Sequence, residues 1–308
     1  VKLNGVSLVA GTDYNTRTAN TIAGLSALAA NDQVEIVVYD TFSVFGGNVD
    51  GDFDINNGTL TAEATTISGN LSVDGGTIKL DGNYPTGTGN VALGNAALDD
   101  GSLADNYNTA IGSSALSANT GGQGNTAVGY TALLVNTDGD ENTALGQYAL
   151  YDNTTGASNV AVGRSALENN TTGAESVAVG YQSGFANTTG RITAVGRHAV
   201  KSNTTATENT GIGYRALRDT TTGANNTAVG GDALLLNTTG AGNTAVGALA
   251  SDANTTGANT AAFGTAALSS NTTADGGTAI GSNALTANTT GANNTAVGFL
   301  ALGANTTG

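Results

Sequence analysis

Cysteine is absent, so neither disulfides nor thiolate metal sites are available and no redox compartment can be read from the chain. Methionine is absent too, and the chain opens on Val1. Both point to a fragment or processed product, so a missing signal or anchoring segment carries no weight. Long apolar runs are lacking: the longest fall far short of the roughly 18 residues of a membrane span, and nothing at the start reads as a signal peptide. Positive charge is scarce, with 9 Lys and Arg against 24 Asp and Glu and a net charge of -15. That balance disfavours nucleic acid and anionic lipid as partners and serves solubility. Large aliphatic residues are few enough to approach the composition of disordered chains.

What the chain does have is a period. A glycine closing an Ala-Val-Gly-like step recurs at Gly94, Gly112, Gly129, Gly146, Gly163, Gly180, Gly196, Gly213, Gly230, Gly247, Gly264, Gly281 and Gly298, spaced by 17 residues with one interval of 18 and one of 16. A disordered chain has no reason to return Val or Ile to one slot at a fixed interval. The consensus reads Asn-Thr-Ala-Val-Gly-x-x-Ala-Leu-x-x-Asn-Thr-Thr-Gly-Ala-Asn. Gly and Asn recur too often for a helix of three turns. The spacing predicts a narrow parallel β-solenoid with two short strands per coil, at Thr-Ala-Val and around Ala-Leu. Stacked at about 4.8 Å, the coils would form a rod roughly 60 Å long.

Turn chemistry accounts for the polar residues. Asn-Thr-Thr-Gly occurs at Asn153, Asn170, Asn187, Asn237, Asn254, Asn288 and Asn305. Gly supplies positive φ and Asn tolerates it, and stacking would set these Asn side chains in a ladder. The same triplets match the glycosylation pattern, but the turn explains every copy. Alternation along Thr-Ala-Val leaves both strand faces small or apolar. Val and Leu are expected in the coil interior, with the small Ala slot facing neighbouring chains. So thin a core favours packing several chains about a common axis.

Residues 1–46 have a different texture and are expected to form a small β domain. Val1 to Leu8 alternates around Asn4-Gly5, and Gln33 to Tyr39 is a β-branched run; both predict strands. Thr21 to Ala30 is a strand with loop or a short helix. Residues 47–89 are a Gly- and Asp-rich connector of short strands, with the single proline, Pro85, in a turn at its end. Its Asp50, Asp52 and Asp54 resemble half an EF-hand loop, but Ile55 stands where that loop needs Gly and Thr61 where it needs Glu. They read as a solvated acidic turn rather than a calcium site.

Two resemblances follow. Leu3-Asn4-Gly5-Val6, then Gly11 to Tyr14, Ala30 to Ile36 and Thr41 to Val44, resemble a small β domain of tail-fibre proteins from marine and cyanobacterial bacteriophages. Asn294 to Ala301 and its equivalents resemble the β-roll repeats of trimeric autotransporter adhesin heads, though the repeat here is longer. Together they imply an all-β chain: residues 1–46 a β domain, 47–89 a connector and 90–308 a β-solenoid of about thirteen coils, assembled as a homotrimeric fibre. The implied role is the shaft of a phage tail fibre in the virion, partnered by itself, other tail proteins and a host-surface receptor, with a glycan as the candidate receptor. The alternative is the head of a bacterial surface adhesin.

No catalytic, cofactor or metal-binding constellation stands out, and no enzyme is expected. A depolymerase needs paired carboxylates over a sugar groove, and the best local cluster, Asp138-Gly139-Asp140-Glu141, reads as one solvent loop. Ice binding through Thr ladders is disfavoured because the adjacent threonines fall in turns. Most of the array's cations lie together at Arg191, Arg197, His198, Lys201, Arg215 and Arg218. They read as solvated surface, with a glycan or phosphate patch as the functional alternative. His198, the sole histidine, has no metal partners by spacing. Irregular coils occur at Ser183-Gly184-Phe185, at Leu249-Ala250, where the usual pair looks reversed, and at Phe263; repacking is expected there.

Overall fold

The computed structural model describes residues 88–99 and 106–307 in full, and the backbone of three short strands earlier in the chain. The chain divides into two compact units, Val1–Gly76 and Thr77–Gly308. In the first, strand β1 (Lys2–Leu3) pairs antiparallel with β2 (Val6–Ser7) and with β3 (Val34–Glu35). These fall inside the two runs expected to be strands. Thr21 to Ala30, the acidic stretch Asp50, Asp52 and Asp54, and Pro85 lie outside the described residues.

The second unit is a parallel β-solenoid. Its strands are β4 (Val91–Leu93), β5 (Thr109–Ile111), β6 (Thr126–Val128), β7 (Thr143–Leu145), β8 (Val160–Val162), β9 (Val177–Val179), β10 (Ile192–Val195), β11 (Asn209–Ile212), β12 (Thr227–Val229), β13 (Thr244–Val246), β14 (Ala261–Phe263), β15 (Thr278–Ile280) and β16 (Thr295–Val297). They form one 13-stranded sheet in sequence order, each strand bonded to the next coil's. The register is that of the repeat, as where Thr126, Ala127 and Val128 lie opposite Thr143, Ala144 and Leu145. Equivalent slots of the repeat therefore stack on one another along the solenoid.

The second strand expected in each coil is not formed. The Ala-Leu segment carries alternating left-handed residues: Tyr148 has φ 60° and Leu150 φ 51°, and the pattern repeats from Ala96 and Leu98 to Leu300 and Leu302. Its amides still bind neighbouring coils in alternation. Tyr148 N–H donates back to Tyr130 O at 3.2 Å and Leu150 N–H forward to Ala166 O at 3.0 Å. The segment thus keeps a parallel ladder without extended backbone. Holding a leucine left-handed costs about 1–2 kcal/mol, and burying it returns about 1.5–3 kcal/mol. One coil alone gains almost nothing, and only stacking makes the exchange favourable.

The orientation of the strand reverses the sequence expectation. Ala110, Ala127, Ala144, Ala161, Ala228 and Ala245 are fully buried, whereas Ile111, Leu145, Ile212, Phe263 and Ile280 are 37–46% exposed. Ala points into the coil and the Val slot points out. The coil is too narrow for the opposite arrangement. At Gly211, which holds the Ala slot, an added Cβ would lie 2.6 Å from Val200 Cγ2 and 3.0 Å from Ala216 O. The interior accommodates a methyl on the strand and one Leu from the facing segment.

Irregular coils repack by exchange. Gly184 stands in the Leu slot, and the void is taken by Ile192, whose Cδ1 would be 2.8 Å from a Cβ at Gly184. Ile192 in turn occupies an asparagine slot, opposite Asn209. The Leu249-Ala250 coil is not a reversal. Ala250 keeps the buried Ala slot, Leu249 is an outward residue at 42% exposure, and Ser251 replaces the leucine at φ 51°.

Candidate functional site

Asparagines build two walls of the coil, and both lie in the core rather than in exposed turns. The Asn of Asn-Thr-Thr-Gly is fully buried in coil after coil, as at Asn153, Asn170 and Asn187, and so is Asn136 in the equivalent slot of Asn-Thr-Asp-Gly. Asn136 Nδ2 donates to Asn119 Oδ1 at 2.7 Å, Asn153 to Asn136 at 2.7 Å, and Asn170 to Asn153 at 2.9 Å. Each also closes its own turn, as in the 3.0 Å bond from Asn153 Nδ2 to Gly156 O. An amide nitrogen so engaged is not open to glycosylation in the folded coil. The second wall precedes the strand: Asn125 N–H donates to Asn108 Oδ1 at 2.8 Å, and Asn125 Nδ2 to Gly139 O at 2.8 Å. Turn threonines are committed as well, Thr137 Oγ1 donating to Thr154 O at 3.2 Å.

The acidic turn spreads its charges into solvent. Asp138, Asp140 and Glu141 are all exposed. Asp140 Oδ1 accepts from Gln123 N–H at 2.7 Å, and Glu141 Oε2 accepts from Ser158 Oγ at 3.3 Å. Among the described residues no three His, Asp or Glu side chains converge as a metal site.

The cation-rich stretch separates into two places. Arg191 lies in a shallow hollow of about 240 Å³ beside Glu175 and Glu208 and bridges both carboxylates, the first at 2.7 Å. These exposed pairs satisfy the guanidinium and add little stability. The remaining cations share another face with residues that spacing alone did not single out: Arg164, Tyr181 and Tyr214. The slot after the invariant glycine reads Arg164, Tyr181, Arg197, Tyr214 in four successive coils. Aligning that slot is the signal that would have found them.

In three dimensions these residues stack alternately. Arg164 Cζ lies 5.9 Å from the Tyr181 centroid and Arg197 Cζ 5.8 Å from it, so the ring carries one guanidinium from each neighbouring coil. Arg197 also lies 5.7 Å from the Tyr214 ring, and Arg215 4.8 Å from it. Cation–π contacts of this kind contribute about 0.5–1 kcal/mol each when exposed. Arg215 is tied to Asp232 at 2.7 Å and 2.8 Å, and Arg218 to Asp219 at 2.7 Å and 2.6 Å. Arg164, Arg197 and Lys201 have no carboxylate partner among the described residues.

His198 reports the field of this face. It packs on Tyr181 with centroids 5.4 Å apart, and its Nε2 is buried without a hydrogen bond. Burial, then Arg197, Lys201, Arg218 and Arg215, hold its pKa below the ordinary 6.5. With the folded pKa depressed, the unfolded chain takes up this proton first. The contribution of His198 to stability is therefore complete above the ordinary value and lost as pH falls through the folded one. His198→Gln is expected to flatten part of the decline in thermal midpoint between about pH 7 and pH 5. Superimposable acid limbs for variant and parent would contradict it.

The chain matches no protein-family model, no curated protein and no solved structure.

Proposed function

We propose that the chain is the shaft of a homotrimeric phage tail fibre, extending a receptor-binding tip toward the host surface. The observation that carries the reading is the outward apolar column of the sheet. Ile111, Leu145, Val179, Ile212, Phe263 and Ile280 stand in register along the rod, 36–46% exposed. A monomer leaves this column in water; three copies packed about a common axis would cover it. The column lies on the strand face that the sequence assigned to the interior, so the surface offered to neighbouring chains is the Val slot and not the Ala slot. The repeat's Ala-Val-Gly step also supports a second reading, the head of a bacterial trimeric adhesin. Antibody labelling of virions against labelling of bacterial surfaces separates the two.

Light scattering is expected to give a mass near three times 30.0 kDa, and a stable monomer would overturn the reading. Two neighbouring substitutions then distinguish seam from coil. Val229 is half-exposed on the outward column and Ala228 is fully buried. Val229→Asp is expected to dissociate the trimer while each chain keeps its β-rich circular dichroism. Ala228→Asp is expected to unfold the coil itself, since an unpaired buried carboxylate costs several kcal/mol, on the order of a small domain's whole stability. A Val229→Asp protein that remains trimeric with an unchanged thermal midpoint would place the seam elsewhere.

A further inference from the structure

We infer that the alternating column Arg164, Tyr181, Arg197, Tyr214 is a binding site for an acidic saccharide on the side of the rod. This goes beyond the shaft reading and does not depend on the oligomeric state.

Charge distribution comes first. Nine Lys and Arg occur in a chain of net charge -15, and the six in the repeat array, Arg164, Arg191, Arg197, Lys201, Arg215 and Arg218, all fall within four coils. Solubility of an acidic rod gives no reason for that concentration. Five of the six occupy the face just described, and the sixth, Arg191, is spent on two glutamates.

Availability comes second. Arg215 and Arg218 are neutralised by Asp232 and Asp219, but Arg164 and Arg197 meet rings instead of carboxylates. Arg164 is held against one ring and Arg197 lies between two, so both guanidinium groups are partly ordered before any ligand arrives, and neither is neutralised. Tyr181 and Tyr214 are 37% and 45% exposed, and Arg197 Nη1 lies 3.4 Å from Tyr214 OH. The face thus presents guanidinium groups and phenol hydroxyls in alternation. With coils stacked at about 4.8 Å, the two free guanidinium groups recur at about 10 Å along the axis.

The chemistry that answers such a row carries hydroxyl groups throughout and an anionic group at intervals. Guanidinium edges take carboxylate or sulfate oxygens bidentately, and phenol groups exchange hydrogen bonds with sugar hydroxyls. Single-stranded nucleic acid is disfavoured by the same geometry. Base stacking needs open aromatic faces, and both faces of Tyr181 are covered by arginine.

Titration calorimetry on the full chain at low salt tests this with four probes: tetragalacturonate, a sulfated tetrasaccharide from heparin, neutral maltotetraose and an eight-residue oligothymidylate. Binding is expected for at least one of the two acidic saccharides and at least tenfold more weakly for maltotetraose. Which acidic probe binds better distinguishes carboxylate from sulfate as the recognised group. The Arg164→Gln/Arg197→Gln double variant is expected to lose at least tenfold in affinity while its circular dichroism at the assay temperature stays that of the parent; its thermal midpoint falls slightly with the three lost cation–π contacts. Arg164→Lys/Arg197→Lys retains the charge, and it is expected to lose most of that affinity because lysine has no planar fork. No binding of either acidic saccharide, equal binding of maltotetraose, equal affinity in the Gln variant, or tighter binding of the oligothymidylate would each overturn the assignment.

Discussion

Replacing Gly230 with alanine is expected to lower the thermal stability of the rod sharply, while the same change at Gly231, its neighbour, leaves it unaltered or slightly raised. Gly230 has φ +136°, a conformation that side-chain-bearing residues rarely adopt. A Cβ there would lie 2.6 Å from the carbonyl carbon and oxygen of Gly247 and 3.0 Å from Ala248 N. These are backbone atoms of the next coil, and they cannot retreat without opening the coil spacing that every inter-coil hydrogen bond shares. Strained backbone of this kind costs about 1–3 kcal/mol by itself. With the collision added, the loss is expected to reach about 4 kcal/mol, in the range kept for severe core damage. At Gly231 an added Cβ meets nothing within 4 Å. Removing a flexible glycine there favours the folded chain by about 0.4–1 kcal/mol at most. Urea midpoints of the two variants check the contrast. Equal midpoints would show that the glycine column is dispensable to the stack.

That column explains why the period was so legible. A residue that must be glycine in every coil leaves an unbroken mark, and an Asn that closes a turn and joins a ladder leaves one nearly as regular, interrupted at Thr220. The solenoid, its coil length and the stacked asparagines all follow from such marks. Direction within the strand did not follow. Thr126-Ala127-Val128 is small or apolar on both faces, so alternation cannot say which side is inside. The answer lies in how closely the Ala132-Leu133 segment approaches, a tertiary quantity. Nor does any local preference announce that Leu133 has φ 52°. Leucine is a poor left-handed residue, and it is held there by burial and by its bond to Ala149 O at 3.0 Å. The arginine–tyrosine column was hidden for another reason. Its members sit 17 or 16 residues apart and meet only when coils are aligned by slot, whereas clustering along the chain drew in Arg191, which belongs to a different corner.

The asparagine ladder yields the second large effect, at Asn153. Its Nδ2 donates to Asn136 Oδ1 and Gly156 O, and its Oδ1 accepts from Asn170 Nδ2 at 2.9 Å. Gly156 O keeps a second donor in Asn142 Nδ2 at 2.8 Å, and Asn170 Nδ2 keeps Gly173 O at 2.9 Å. Asn153→Leu therefore strands one acceptor, Asn136 Oδ1, and one N–H of Asn170 in a fully buried wall. Each unsatisfied group costs about 1–3 kcal/mol, so the expected loss is about 2–5 kcal/mol despite the gain in apolar volume. Asn153→Thr is expected to cost less than half as much. A hydroxyl both donates and accepts, and the chain already uses one in this ladder, where Asn237 Nδ2 lies 3.4 Å from Thr220 Oγ1. Thr155→Ala, on the exposed side of the same turn, is expected to stay within about 0.5 kcal/mol of the parent. Because a stack whose coils couple only to their nearest neighbours can unfold in sections, hydrogen exchange resolved by coil is the appropriate measurement. Loss of protection should centre on the coils holding Asn136, Asn153 and Asn170. A leucine variant as well protected as the threonine one would mean that apolar packing, and not the amide ladder, holds this wall together.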